Sequence, residues 1–149
     1  MPKIAIIYAS GTGKTKKMAE AIASGAKSVP DVEVLLKTAF LAKPDEVSNA
    51  DALILGGSTY NNKLIKAMEP FLDGLDGLDL KGRIGAAFGS YGWSGEGVPI
   101  LIERMKSWGM SVTEPGTTAV QMPSKEVLDK CFELGKSIAG NLKNQPSAI

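Results

Sequence analysis

Short, continuously apolar runs alternate with longer amphipathic stretches along this chain. Residues 4–8 are apolar throughout, which is typical of a strand buried on both faces of a parallel sheet. This run stops at a turn rich in glycine and hydroxyl side chains, and a helical pattern follows at once, with Met18, Ile22 and Ala26 four residues apart. The chain is therefore expected to begin with a buried strand, a tight turn and an amphipathic helix.

The same alternation continues to the last helix. Charged residues interrupt the second apolar run, which places that strand near an edge of the sheet. Pro99 suits the first turn of a helix that Gly109 ends, and Ser124 is expected to cap the last helix. The pattern predicts strands near 32–36, 52–55, 83–88 and within 110–120, a helical turn near 44–47, a helix from about 63 to 72, a turn-rich stretch over 73–81 and a bend at 115–116.

Strands that alternate with helices predict an α/β fold, with a doubly wound parallel sheet and right-handed crossovers. Its 149 residues suit one domain, so we expect a single domain over residues 1–149. In such sheets a ligand lies beyond the carboxyl ends of the strands. The polar, glycine-rich loops follow strands one, three and four, and we expect the site there.

Composition excludes several classes of function. The net charge of +1 gives no reason to expect a nucleic acid or an anionic membrane as a partner. Histidine is absent, which removes histidine-based triads and metal sites, and no metal site is expected. The lone Cys131 cannot form an internal disulfide, and with no apolar run of membrane-spanning length and no signal-peptide pattern the cytoplasm is the expected location. Cys131, Tyr8 and Trp108 are expected in the core.

The first loop has the chemistry of an anion site. A glycine- and hydroxyl-rich turn at a helix N-terminus directs free backbone N–H groups and the positive end of the helix dipole at one point. A Walker A loop would need glycine where Tyr8 stands, and a dinucleotide fingerprint would need glycine at Lys16. The alternative is a tight turn without a ligand. The loop consists of Ser10, Gly11, Thr12, Gly13, Lys14 and Thr15.

Two further loops carry most of the tyrosine and tryptophan side chains outside the core. Aromatic rings on glycine-rich loop tips are suited to stacking on a flat ligand. Packing of these rings over the core is the competing interpretation. The second loop contains Ser58, Thr59, Tyr60, Asn61 and Asn62, and the third contains Ser90, Tyr91, Gly92, Trp93, Ser94, Gly95 and Glu96.

Together these motifs resemble the flavodoxin family. SGTGKT at residues 10–15 is similar to its phosphate loop, and GSTYNN and FGSYGWSGE are most similar to the flavodoxin domain of flavodiiron proteins, the A-type flavoproteins. The resemblance implies a three-layer α/β/α sandwich with strand order 2-1-3-4-5. It implies FMN as the cofactor, with phosphate at residues 10–15 and ring contacts from 58–62 and 90–96. Without histidine, the chain cannot carry a flavodiiron metal centre.

The resemblance implies an electron carrier that shuttles electrons between redox partner proteins, as a monomer or weak homodimer. The alternative is an FMN-dependent NAD(P)H:quinone or flavin reductase of the same fold; a phosphoryl receiver lacks its acidic residues here. Unlike typical flavodoxins, this chain is not acidic, and Asn61-Asn62 replaces a frequent glycine, which predicts weaker stabilisation of the one-electron-reduced flavin. Lys14 either neutralises phosphate or points into water, and Glu96 either lies near the ring or complements a helix dipole.

Overall fold

The computed structural model describes residues 1–11, 13–60, 63–92 and 95–144, with only the backbone described for Tyr60. These residues form seven strands: β1 Lys3–Ala9, β2 Glu33–Thr38, β3 Ala52–Gly57, β4 Thr59–Tyr60, β5 Lys63–Leu64, β6 Ile84–Tyr91 and β7 Ser111–Val120. The helices are α1 Lys14–Lys27, α2 Pro44–Ser48, α3 Glu69–Leu75, α4 Gly97–Ser107 and α5 Lys125–Asn144, with a 3₁₀ turn at Lys66–Met68.

Five strands form one parallel sheet in the order β2-β1-β3-β6-β7. Numbered within this sheet alone, the order is 2-1-3-4-5, so the predicted fold is confirmed. The interrupted second strand is at the edge, as predicted. The two remaining strands, β4 and β5, make a short antiparallel hairpin at the carboxyl end of the sheet.

Alternate side chains of β1 pack into two separate cores, one on each face of the sheet. Ala5 and Ile7 join the core beneath α3 and α4, whereas Ile4, Ile6 and Tyr8 join the core beneath α1 and α5. A strand buried on both faces must be apolar at successive positions, which explains the continuous run. Tyr8 is 7% exposed, which confirms its predicted place in the core.

Two glycines allow α1 and α5 to pack backbone to backbone. A Cβ atom on Gly25 would lie 1.8 Å from the Phe132 carbonyl oxygen, and one on Gly135 would lie 2.0 Å from the Ile22 carbonyl oxygen. Cys131 is fully buried in this core, and burial raises the pKa of its thiol to about 12. The prediction of a core cysteine is confirmed.

The helix predicted from about residue 63 to 72 is wrong in its first half. Lys63–Leu64 is strand β5, and the Ile65 N–H donates to the Ser58 carbonyl oxygen at 2.9 Å, which turns the chain back toward β3. The α-helix begins only at Glu69, with Pro70 in its first turn. Proline is accepted there because its missing N–H needs no intrahelical partner, whereas in a helix interior it would remove a hydrogen bond.

The fourth strand of the sheet is longer than predicted. It continues from Phe88 through Tyr91, because these residues pair with the end of β7, Ser90 opposite Ala119 and Tyr91 opposite Val120. The register slips between Ala86 and Phe88, opposite the predicted bend at residues 115–116. Part of the predicted third loop is therefore strand.

The predicted helix ends are confirmed. Gly109 has φ +78°, a left-handed conformation that terminates α4, and Ser124 Oγ accepts a hydrogen bond from the Val127 N–H at 3.2 Å. Trp108 packs against the core but is only half-buried, since its indole N–H reaches Asp76 at the surface. No helix in the described ranges is long and apolar enough to cross a membrane.

Candidate functional site

A buried hydroxyl cluster joins the ends of three elements at the carboxyl edge of the sheet. Thr15 Oγ1 lies 3.0 Å from Ser58 Oγ and 2.9 Å from Ser90 Oγ, and all three side chains are buried. These residues come from the first turn of α1, the end of β3 and the end of β6. The structure thus brings the three predicted loops together, and the three hydroxyls bond to one another.

The first loop enters α1 through a conformation that favours glycine. Gly13 precedes the helix with φ +86°, and its N–H donates to Ser10 Oγ at 3.0 Å. Gly11 is exposed at the turn. The Ser10 hydroxyl therefore folds the loop over the start of α1, where the first backbone N–H groups lack carbonyl partners within the helix.

The first turn of α1 carries the wrong charge for an isolated helix. It has no acidic residue, and it contains Lys14, Lys16 and Lys17. Cations beside the positive end of a helix dipole destabilise the helix, and anions stabilise it. The turn is consequently suited to a bound anion, which offsets both the dipole and the lysines.

Lys14 does not simply point into water, and its contact with a phosphate stays a prediction. Its Nζ donates to Gln121 Oε1 at 2.7 Å, and the Gln121 N–H donates to the Tyr91 carbonyl oxygen at 2.7 Å. Lys14 thereby ties the first loop to the ends of β6 and β7. An ammonium group has three donors, so this bond leaves Lys14 able to contact an anion as well.

Gln121 is a site residue that the sequence reading missed. It follows β7 directly and adopts φ +60°, a left-handed conformation that is uncommon outside glycine. Its position after the fifth strand, at the same sheet edge as the loops, is the signal that could have identified it. No motif indicated the contact with Lys14.

The second loop supports the start of α4. Thr59 Oγ1 accepts a hydrogen bond from the Gly97 N–H at 2.8 Å, and a Cβ atom on Gly97 would itself lie 2.8 Å from that oxygen. Thr59 thus satisfies a terminal N–H of a helix 38 positions further along the chain. This contact fixes the second loop against the third.

The third loop holds a half-buried aromatic ring beside a glycine. A Cβ atom on Gly95 would lie 3.1 Å from the ring of Tyr91, so Gly95 lets the backbone pass closely. Gly92 is exposed, and a Cβ atom there would lie 2.8 Å from Gln121 Nε2. The close contacts at both positions explain why the loop is rich in glycine.

Glu96 immediately precedes α4, the position expected of a carboxylate that complements the dipole. Its side chain makes no capping hydrogen bond. Its Oε2 atom is buried and has no hydrogen-bond partner in the part of the chain that the structure describes. Because a buried acceptor without a donor is costly, this oxygen is suited to an N–H group of a ligand.

Several predicted site residues lie outside the described residues. These are Thr12, Asn61, Asn62, Trp93, Ser94 and the side chain of Tyr60. The predictions for stacking by Tyr60 and Trp93, and for the backbone at residues 61–62, therefore stay predictions.

Comparison with known proteins agrees with the architecture of this site. The model of the flavodoxin family matches residues 6–135. The chain belongs to the flavodoxin family. A flavodoxin from Clostridium beijerinckii is 38% identical over 138 residues, covering 90% of this chain and 97% of that protein. The solved structure of a flavodoxin from the domain Archaea superposes with a TM-score of 0.90 at 40% identity, covering 95% of this chain and 99% of that one.

Flavodoxin domains of longer proteins are also among the relatives, as the motifs indicated. A nitric oxide reductase from Moorella thermoacetica is 36% identical over 144 residues, which is 94% of this chain but 36% of that protein. The chain thus spans about a third of the length of the first relatives that it matches. Within the described ranges, no cluster of three or more potential metal-ligating side chains occurs.

The residues present fit FMN, the cofactor of the flavodoxin family. The first turn of α1 offers backbone donors and ammonium groups to a phosphate, with no carboxylate of that turn to oppose it. The buried oxygen of Glu96 is an acceptor without a donor among the described residues, at the loop where the flavin ring is expected. The site therefore offers donors for the phosphate and an acceptor at the third loop.

Proposed function

We propose that this flavodoxin holds FMN at the carboxyl edge of its sheet and transfers electrons between redox partner proteins. Binding of FMN and electron transfer are the functions of the family. We also propose that the chain works in the cytoplasm as one domain, as a monomer or weak homodimer.

The observation that carries the proposal is the lysine-rich first turn of α1. Lys14, Lys16 and Lys17 stand where the helix dipole disfavours cations. A phosphate dianion bound there would interact favourably with both the helix dipole and the lysines. Its oxygens would accept hydrogen bonds from the backbone N–H groups that follow Gly13 and from the hydroxyl groups of the loop, for which Ser10 and Thr12 are the candidates.

The hydroxyl cluster gives Thr15, Ser58 and Ser90 a positioning role in this proposal. Each hydroxyl has one proton and two acceptor positions, so the mutual bonds leave capacity for a further bond. Their burial keeps the first turn of α1 at a set distance from the ends of β3 and β6. The cluster would therefore position the phosphate cradle relative to the two ring-binding loops.

The ring would lie between the second and third loops. Tyr60, Tyr91 and Trp93 supply the aromatic faces, and Glu96 supplies an acceptor for a ring N–H. FMN itself would carry the electrons, and the protein holds the ring, excludes water and sets the potential.

The reductase alternative is less well supported. The chain matches the flavodoxins from C. beijerinckii and from the domain Archaea almost end to end. These matches favour an electron carrier over an NAD(P)H:quinone or flavin reductase. A direct assay separates the two. The FMN-loaded protein should oxidise NADH and NADPH no faster than free FMN does, and a rate tenfold above that background would favour the reductase.

The phosphate assignment is tested by comparing FMN with riboflavin, which lacks the phosphate. The purified protein is titrated with each flavin, and binding is followed by quenching of flavin fluorescence. FMN should bind at least about 100-fold more tightly, because the charge-assisted bonds of the first loop serve only the phosphate. Equal affinities would overturn the assignment of residues 10–15.

A matched pair of variants refines this test. Lys14→Gln should weaken FMN binding several-fold and leave riboflavin binding unchanged. Lys136→Gln removes the same charge from the exposed middle of α5 and should change neither affinity. If both variants weaken FMN binding alike, the effect comes from net charge and not from the loop.

A further inference from the structure

The charges around the carboxyl edge form a one-sided pattern. Lys14, Lys16 and Lys17 lie in the first turn of α1, Lys63 lies in β5, and Lys66 lies in the 3₁₀ turn that follows. We call these five residues the lysine rim. All are exposed except Lys14, which is half-buried. The bond between Thr15 and Ser58 joins the first turn of α1 to the end of β3, so both groups of lysines belong to the carboxyl edge of the sheet.

The rim lysines have no acidic partner among the residues that the structure describes. Over residues 1–11, 13–60, 63–92 and 95–144, no carboxylate lies within 4.0 Å of a rim ammonium. At the start of α5, by contrast, Lys125 lies 3.8 Å from Asp129. Half of the other lysine and arginine side chains have such a partner, and the chain as a whole carries a net charge of only +1.

Acidic groups at the same edge do not cancel the rim. Glu69 opens α3 and is exposed. Glu96 is half-buried, with one carboxylate oxygen fully enclosed. In the three loops and the first helical turns that follow them, the described residues thus include two carboxylates and five ammonium groups, and the bound phosphate would compensate only the ammonium groups nearest to it.

We propose that the lysine rim is the docking surface for an acidic electron-transfer protein, which meets the flavin edge through carboxylates. This proposal rests on the proposed function, since it assumes that FMN lies within the rim. Oppositely charged surfaces raise the rate of encounter and orient the partners, and salt weakens both effects. An excess of lysine here selects an acidic partner and repels a basic one.

The test uses one electron acceptor in two charge forms. Native mitochondrial cytochrome c is basic, and succinylation of its lysines makes the same protein acidic. The FMN-loaded protein is reduced with two electrons under anaerobic conditions and mixed with each form in a stopped-flow instrument. Each reduced flavin passes one electron to each of two ferric haems, and it returns to the oxidised form with release of its protons.

The acidic cytochrome should react faster at low salt, and its rate should fall about tenfold or more between 10 and 500 mM ionic strength. The rate with the basic form should stay level or rise over the same range. Equal salt dependence for both cytochromes would overturn the proposal.

Two triple variants with the same change in net charge locate the effect. The rim variant carries Lys16→Glu, Lys63→Glu and Lys66→Glu. The control variant carries Lys27→Glu, Lys81→Glu and Lys136→Glu, at exposed positions outside the rim. The rim variant should lose the preference for the acidic cytochrome, and the control should stay within twofold of the parent protein. Equal losses in both would assign the preference to net charge and overturn the docking surface.

A second measurement needs no electron transfer. Isothermal calorimetry with both proteins oxidised, at 10 mM ionic strength, should detect binding of the succinylated cytochrome to the parent protein and the control, and none to the rim variant. Vesicles of phosphatidylglycerol should not sediment the parent protein. If the parent protein sediments with the vesicles and the rim variant does not, the rim binds an anionic bilayer, and the proposal of a protein partner is overturned.

Flavin content separates this proposal from the one on which it rests. The absorbance of bound flavin is measured for each variant after desalting. Loss of flavin from the parent protein would contradict the proposed function, and electron transfer to both cytochromes would then disappear together. A loaded protein that transfers electrons without a charge preference would contradict the docking surface alone.

Discussion

Two groups of charged residues, one near each end of the sheet, differ in whether they form ion pairs. At the amino end, Arg104 Nη2 lies 2.8 Å from Asp73 and 2.9 Å from Asp76, and the indole N–H of Trp108 donates to Asp76 at 2.8 Å. These bonds hold the pKa of Asp76 below its usual range, with the Trp108 donor the largest cause and Arg104 the next. Charges that satisfy one another stabilise the fold and leave little to bind a ligand.

At the carboxyl end, ammonium groups surround loops whose buried hydroxyls bond among themselves. The lysines of α1 there have no carboxylate partner in the described ranges, and they oppose the helix dipole. The arrangement gives up some stability, which a bound anion restores. The paired charges stabilise the fold, whereas the unpaired lysines are suited to binding an anionic ligand.

The largest expected effect comes from a glycine beneath the site. A Cβ atom on Gly89 would lie 2.1 Å from the Gly57 carbonyl oxygen in the neighbouring strand. Gly89→Ala should lower the free energy of unfolding by about 3 kcal/mol, because two strands must separate to admit the methyl group. Chemical denaturation measures the change.

The matched control is a glycine in the turn after α3, toward the amino end. No atom lies within 4 Å of a Cβ on Gly77, which is exposed. Gly77→Ala should stay within about 0.5 kcal/mol of the parent protein. Similar losses for the two variants would show that the close approach of β3 and β6 is not what limits position 89.

The hydroxyl cluster should have the next largest effect. Thr15→Val keeps the shape of the side chain but leaves Ser58 Oγ and Ser90 Oγ without their shared partner. We expect a loss of about 1–3 kcal/mol in the free energy of unfolding, since these groups are buried. Thr15→Ser retains the hydroxyl and should lose less. If valine is tolerated as well as serine, the cluster does not hold the three loops together.

Removal of one lysine from the first turn of α1 should stabilise the protein without FMN. Lys16→Gln relieves repulsion from the helix dipole, for an expected gain of about 0.3–1 kcal/mol at low salt. With FMN bound, the gain should disappear, because the phosphate then attracts the lysine. Lys136→Gln serves as the control and should have little effect in either state. A loss of stability in the FMN-free variant would contradict the argument from the dipole.

The smallest expected effect concerns acid stability at the amino end. The pKa of Asp76 is lowered in the folded state, so its contribution is present above the unfolded pKa, near 4, and is lost as the pH falls through the folded value. Trp108→Phe removes the main donor and should flatten the decline of stability below pH 4. Urea midpoints between pH 7 and 2.5 measure it, and curves that stay parallel to the parent would refute the assignment.

The fold could be predicted because the spacing of apolar residues within each strand and helix reflects how that element is buried. A strand buried on both faces, such as residues 4–8, must be apolar at successive positions, and helices α1 and α5 show apolar stripes. The family motifs then set the order of the strands. The prediction of a helix from residue 63 was wrong because a non-local hydrogen bond, from Ile65 to Ser58, holds this segment out of a helix. The helix begins only at Glu69, where Pro70 fits its first turn.

The sequence by itself determined the class of fold, the three loops, the residue types suited to FMN and the absence of histidine chemistry. Only the tertiary structure showed that Thr15 bonds to Ser58 and Ser90, that Thr59 supports α4, and that Lys14 reaches Gln121. These contacts join residues 38 to 107 positions apart. No local period encodes them, because the closing of the sheet, and not the neighbours along the chain, decides which loop ends meet.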